Sequence, residues 1–178
     1  LELIAENSPE EFANLYMCEF VDDGHSVFPL SIIQPCMVDS WEVWSKDFKP
    51  LALRPFGNKP VWIGYDPAES GDSAGLVVIA PPEPDYPKFR LLEHHQFKGM
   101  DFSSQAQYIK KLTTKYNVKY IGLDKSGMGT GVAQLVLEFF PNLTTFNYSV
   151  DVKTQLVMKA MDVINKGRFE FDAGSTDV

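Results

Sequence analysis

The spacing of apolar residues changes character at Pro60. Before it, residues 8–20 place Phe12, Leu15, Tyr16 and Phe20 at helical spacing behind Ser8, Pro9, Glu10 and Glu11. That start supplies an N-cap, a proline at the first helical position and acids against the positive dipole end, which predicts a short helix. Residues 21–58 follow no single period: prolines at 29, 35, 50 and 55 alternate with Phe28, Trp41, Trp44, Phe48 and Phe56. So many aromatics must pack on something, so the stretch reads as a connecting segment lying on a neighbouring domain. After Pro60, residues 61–65 and 74–80 are unbroken apolar runs, the pattern of strands buried on both faces. Residues 88–97 predict a third strand. Asp101 caps a helix to about residue 116, with Phe102, Ala106, Ile109 and Leu112 inward. Residues 118–123 predict a fourth strand, followed by a helix with Val132, Leu135, Val136 and Phe139 on one side. A fifth strand is expected over 143–149, then a helix over 152–166 stopped by Gly167.

Three consecutive strands, then alternating helix and strand, predict an α/β fold. The sheet is mixed, with three antiparallel strands followed by parallel ones and flanking helices, as in a ribonuclease H-like domain. Right-handed crossover then sets the fourth strand beside the first. Both strands end in an aspartate, Asp66 and Asp124, so this topology brings two carboxylates to one edge of the sheet. Like charges held together favour a divalent cation between them. Phosphodiester hydrolysis uses such a site, in which two metal ions roughly 3.5–4 Å apart activate water and stabilise the leaving oxygen. Oxygen ligands suit Mg²⁺ or Mn²⁺. An aspartate that closes a strand also begins turns, as before Pro67 or Gly127; the strand order favours the pair as a site. Asp72, in the loop after the first strand, is an additional candidate ligand.

Charge narrows the reading. Among 178 residues the formal net charge is −8, and residues 1–58 hold ten acidic against three basic side chains. Such a chain does not bind nucleic acid by phosphate neutralisation alone; an enzyme meeting DNA through metal ions remains open. Cys18 and Cys36 form no disulfide framework and no zinc motif. No apolar run reaches the roughly 18–20 residues of a membrane span. The chain opens on Leu1 and ends in polar sequence, and it reads as a piece of a longer polypeptide.

Other candidates carry weaker signals. His94 and His95 lie mid-strand, where a structural histidine is the simpler reading. The run Ser126-Gly-Met-Gly-Thr-Gly131 lacks the spacing and Lys-Ser/Thr ending of a Walker A loop, and it indicates close backbone approach beside Asp124. Lys125 is placed to touch a phosphate or balance a carboxylate. Lys110, Lys111 and Lys115 read as the solvated face of a helix.

Three stretches together resemble a known family: residues 11–23 (EFANLYMCEFVDD) with 26–28 (SVF), residues 61–67 (VWIGYDP) with 71–75 (GDSAG), and residues 116–124 (YNVKYIGLD). They resemble the large terminase subunit of tailed bacteriophages, over nearly the whole chain. The resemblance implies that residues 59–178 are most of a ribonuclease H-like nuclease, truncated at its C-terminal end. Residues 1–58 would join it to a packaging ATPase. It further implies cleavage of concatemeric double-stranded viral DNA with Mg²⁺ or Mn²⁺. Asp66 and Asp124 would be catalytic metal ligands and Asp72 an additional acidic position. The implied partners are DNA, a small terminase subunit and a portal protein, with no membrane. The implied location is the cytoplasm of the infected or lysogenic bacterial host.

Two departures stand beside the resemblance. The family's third acidic ligand, from a later helix, has no counterpart here; Asp172 and Asp177 lack its context. The Walker motifs of the ATPase half are also absent. Two other functions compete: a non-catalytic docking module contacting partners through Trp41 and Trp44, and an actin-like ATP-binding domain.

Overall fold

The computed structural model describes residues 27–68, 73–127 and 129–175. The helix expected over 8–20, Cys18, Asp72 and Asp177 lie outside them. The chain divides into two compact units, Leu1–Pro35 and Cys36–Val178. In the first, the described part holds one helical turn, α1 (Leu30–Ile33).

The second unit is built on a seven-stranded mixed sheet. Its elements are β1 (Met37–Val38), α2 (Ser40–Val43), β2 (Pro60–Asp66), β3 (Ser73–Ala80) and β4 (Phe89–Lys98). They continue with α3 (Phe102–Lys115), β5 (Asn117–Asp124), α4 (Gly129–Leu137), β6 (Thr144–Phe146), α5 (Val150–Asn165) and β7 (Phe169–Asp172). The strand order is β1-β7-β4-β3-β2-β5-β6. β3 runs antiparallel to both β2 and β4, while β5 lies parallel beside β2 and β6 parallel beside β5. This is the expected ribonuclease H-like order, with strand four against strand one.

Alternation along the strands separates two faces. One carries Val61, Ile63 and Tyr65 of β2, Leu76 and Val78 of β3, and Ile121 and Leu123 of β5, all buried. It packs against Ile109 and Leu112 of α3 and Val132 and Val136 of α4. α3 begins at Asp101, whose carboxylate accepts from Ser104 N (2.9 Å) and sits below its ordinary pKa because of that bond. α5 ends at Gly167 (φ +62°), where Arg168 N donates to Val163 O (3.0 Å).

The β2–β5 pairing is not uniform. Val61 pairs with Val118, but Trp62 pairs with Tyr120, so Lys119 is an extra residue in β5. The bulge lets Val118 and Ile121 both follow their β2 partners toward the core.

Three features depart from the sequence reading. β6 is shorter than expected, because Tyr148 N leaves the ladder and donates to Ser126 Oγ (2.8 Å). β7 was not expected at all; Phe169–Asp172 joins the far edge parallel to β4 and pairs in turn with β1. Residues 36–58 contribute Trp44, Phe48 and Phe56 to the core itself. Trp44, weighed as a partner contact, is therefore a core residue, whereas Trp41 is exposed.

Polar groups secure that packing. Trp44 Nε1 donates to Glu170 Oε2 (3.0 Å), which also accepts from Tyr86, while Lys88 reaches Oε1 (2.7 Å). Arg90, 0% exposed, lies between the rings of Phe56 and Tyr86, its guanidinium carbon 4.8 and 4.3 Å from their centroids. It pairs with Asp47 (3.5 Å) and Glu83 (3.4 Å).

Candidate functional site

Asp66 and Asp124 are the last residues of β2 and β5. The last pair of that ladder is Tyr65 with Leu123, so the two aspartates stand one step further on, side by side on adjacent parallel strands. Strand alternation puts both on the second face of the sheet, away from α3 and α4. Asp66 is exposed and Asp124 is 9% exposed.

The pair stands at one end of a groove of about 380 Å³. Gly64 and Gly122, paired across β2 and β5, form its floor; Trp62, Tyr120, Phe146 and Tyr148 wall it. The glycines leave the space open. A β-carbon on Gly64 would lie 3.0 Å from Val77 Cγ2, and one on Gly122 would lie 3.0 Å from Phe146 Cε2. Leu156 of α5 reaches the same groove.

Local bonds fix Asp124. Ser126 N donates to its Oδ1 (2.8 Å), Lys125 N donates to Phe146 O (2.8 Å), and Gly127 turns the chain with φ +54°. α4 then starts directly against the Asp124 backbone, which accounts for the glycine-rich run as close backbone approach. Asp66 is followed by Pro67 and Ala68. The Ala68 carbonyl accepts from Gln105 Nε2 (2.7 Å), which also donates to Met100 O (2.6 Å). Gln105 is buried on the inward side of α3, and its Oε1 accepts from the Tyr65 hydroxyl. Burial, then the charge of Asp66, pushes the Tyr65 phenol up, so it remains a donor.

Tyr148 completes the constellation. Its phenol is pushed up by burial and then by the charges of Asp66 and Asp124. No periodicity in residues 143–149 marks it. Gln105 carried a faint signal, a polar side chain among Phe102, Ala106 and Ile109 on the buried stripe of α3.

The other candidates lie elsewhere. His95 contacts Glu93 (3.1 Å) and Tyr108 (3.2 Å) on β4 and α3, a structural setting. Lys115 is not merely solvated: it donates to Glu93, as does Tyr116. Lys110 lies over the Phe139 ring (5.8 Å). Asp172 accepts from Ser40 N (3.0 Å) and Gly174 N (2.8 Å) beside β1, at the opposite edge of the sheet. Among the described residues, no group of three or more His, Cys, Asp or Glu side chains gathers around one point. No helix among them is long and apolar enough to cross a membrane.

Two carboxylates at neighbouring strand ends, on a sheet of this order, define a ribonuclease H-like domain with an acidic candidate site. Residues 63–178 match the family model described as the terminase RNaseH-like domain, and the chain belongs to that family. It is 55% identical over 177 residues to the terminase ATPase subunit of Escherichia phage P2, spanning 99% of this chain and 30% of that protein. It is 42% identical over 168 residues to a probable terminase ATPase subunit of Haemophilus phage HP1, spanning 94% of this chain and 27% of the relative. The chain thus covers about a third or less of these relatives' length. Among solved structures, the large terminase nuclease of thermophilic phage G20c with bound magnesium aligns with a TM-score of 0.62. That alignment is 22% identical and covers 85% of this chain and 76% of the nuclease. The HK97 bacteriophage large terminase aligns with a TM-score of 0.57, at 10% identity over 83% of this chain and 34% of the other. Likenesses at this level of identity establish the shared fold.

Proposed function

We propose that this chain is the nuclease portion of a phage DNA-packaging terminase, hydrolysing phosphodiester bonds of double-stranded viral DNA with Mg²⁺ or Mn²⁺. In this reading Asp66 and Asp124 are the catalytic metal ligands, and Asp72 is an outer acidic position. The supporting observation is the register of β2 against β5, which sets the two aspartates side by side.

The donor set suits a hard divalent cation. Both ligands are carboxylates, and Asp124 is nine-tenths buried with no lysine or arginine ion-paired to it among the described residues. A bound divalent ion supplies Lewis acidity and a water of lowered pKa. The chain's own residues hold that site in shape. Ser126 N fixes one Asp124 oxygen, Gln105 ties down the turn after Asp66, and the paired glycines keep the groove open for a phosphate. The solved G20c nucleases carry bound magnesium, cobalt or zinc, which favours the same chemistry here.

The longer relatives named as terminase ATPase subunits support placing this domain after an ATPase, with residues 1–58 as the join. A small terminase subunit and a portal protein are then the expected partners, in the bacterial host cytoplasm. Mn²⁺ titration calorimetry on the chain and its Asp66→Asn and Asp124→Asn variants tests the reading. Either substitution is expected to weaken Mn²⁺ binding at least tenfold; unchanged binding in both would move the site elsewhere.

A further inference from the structure

Among the described residues, those lining the groove around the aspartates include no basic side chain. Trp62, Tyr65, Tyr120 and Tyr148 are the lining residues whose side chains can donate a hydrogen bond. A phosphodiester drawn to metal at two carboxylates also meets those carboxylates as like charges, so a neutral donor close to them has a defined task. Tyr65 is committed to Gln105. Trp62 and Tyr120 pair with each other four residues before the aspartates, roughly 13 Å away along the strands. Tyr148 remains, and it is held in place from the site itself. Ser126 N donates to Asp124 Oδ1 (2.8 Å), and Tyr148 N donates to Ser126 Oγ (2.8 Å). One serine thus ties the Tyr148 backbone to the Asp124 carboxylate across two loops. The Tyr148 side chain is 43% exposed, within reach of an incoming ligand.

We propose that Tyr148 contacts the DNA, its phenol donating a hydrogen bond to a non-bridging oxygen of the phosphodiester held at Asp66 and Asp124, with Ser126 as its positioning residue. This rests on the metal-dependent reading of the site. A phenol is protonated near neutral pH, so the hydroxyl is present as a donor. A neutral donor suits this place, since a lysine there would compete with the metal for the same carboxylates.

The test measures metal and DNA binding separately on the whole chain. Mn²⁺ affinity is read by calorimetry. Affinity for a double-stranded oligonucleotide is read by fluorescence anisotropy at low salt, with Ca²⁺ and with EDTA. Tyr148→Phe keeps the ring and removes the hydroxyl. It is expected to leave Mn²⁺ affinity within about twofold and to weaken Ca²⁺-dependent DNA binding roughly tenfold or more, the loss of one hydrogen bond to a charged group. Binding in EDTA should not move. Ser126→Ala should show the same pattern at smaller amplitude, with Ser126→Thr restoring it. Equal Ca²⁺-dependent DNA affinity for wild type and Tyr148→Phe would overturn the inference, as would a loss of Mn²⁺ affinity that matches the loss of DNA affinity. Should Asp66→Asn and Asp124→Asn leave Mn²⁺ binding intact in the same series, the metal reading fails first and takes this one with it.

Discussion

Gly129 and Asp124 touch through their backbones: a β-carbon built on Gly129 would lie 2.1 Å from the Asp124 carbonyl oxygen. The first turn of α4 therefore rests on the strand end that carries the buried carboxylate, and no side chain fits between them.

Gly129→Ala should push α4 and the end of β5 apart. An overpacked site of this kind costs about 1–3 kcal/mol, measurable by urea unfolding. Mn²⁺ affinity should fall as well, because the atom displaced is on Asp124, the proposed ligand. Alanine at Gly127 offers the contrast. Its φ of +54° brings a backbone penalty, but no atom lies within 4 Å of its β-carbon. Metal affinity should suffer less there.

Gln105→Leu should uncouple the loop after Asp66. The side chain satisfies the Ala68 and Met100 carbonyls and the Tyr65 hydroxyl, all around a fully buried amide. Leaving such groups without partners costs about 1–3 kcal/mol. Calorimetry should show weaker Mn²⁺ binding even at temperatures where circular dichroism reports a folded chain. Full metal affinity in this variant would show that the Asp66 turn is held by other contacts.

Glu93 gives the fold an acid-sensitive point away from the site. Burial would raise its carboxyl, but hydrogen bonds from His95, Lys115 and Tyr116 outweigh burial and hold it at about 2, against an ordinary 4.5. The folded value lies below the unfolded one, so its stabilisation is complete above pH 4.5 and drains away as pH falls toward 2. The amount is on the order of 3 kcal/mol. Glu93→Gln should lower the urea midpoint at pH 7 and converge with wild type near pH 2; a constant gap at both pH values would contradict this account.

Arg90→Ala should be the most damaging of these substitutions. It leaves Asp47 and Glu83 with Lys59 alone (2.9 and 2.8 Å) and empties the space between Phe56 and Tyr86. Emptying a fully buried side-chain site of this kind typically costs about 2–5 kcal/mol. Arg90 pairs with Ala80, while the β3 residue beside Asp66 pairs with Gln96, six residues along β4 and roughly 20 Å from Arg90. Metal affinity of the folded fraction should therefore hold, which separates stability from site geometry.

Much of this architecture was legible in the residue pattern, for physical reasons. Residues 61–65 and 74–80 announced themselves as strands by their unbroken apolar runs, although burial alternates and the second face, with exposed Trp62, lines the groove rather than a packed layer; the crossover rule then brought Asp66 and Asp124 to one edge. What the pattern concealed depends on distant partners. The four residues of β7 are too few to show a period, and they are ordered by pairing with β4 and β1. Trp44 looked available to a partner because its own partner, Glu170, lies 126 positions away. Tyr148 sits where a strand was expected to continue, and a serine hydroxyl from another loop took its N–H instead.

The bulge at Lys119 reaches further than its place at the start of β5 suggests. Had the pairing of Val61 with Val118 continued unbroken, Asp66 would face Leu123, and Asp124 would be a step out of line. Because strand side chains alternate, a slip of one residue exchanges the faces of everything beyond it. The carboxylate pair is thus set by counting rather than by contact. Lys119 can be exchanged for another residue at little cost, and deleting it would join the two registers into one regular ladder with Asp66 still beside Asp124; drawing Lys119 into the ladder opposite Trp62 would instead turn Asp124 toward the core and Leu123 out into the groove.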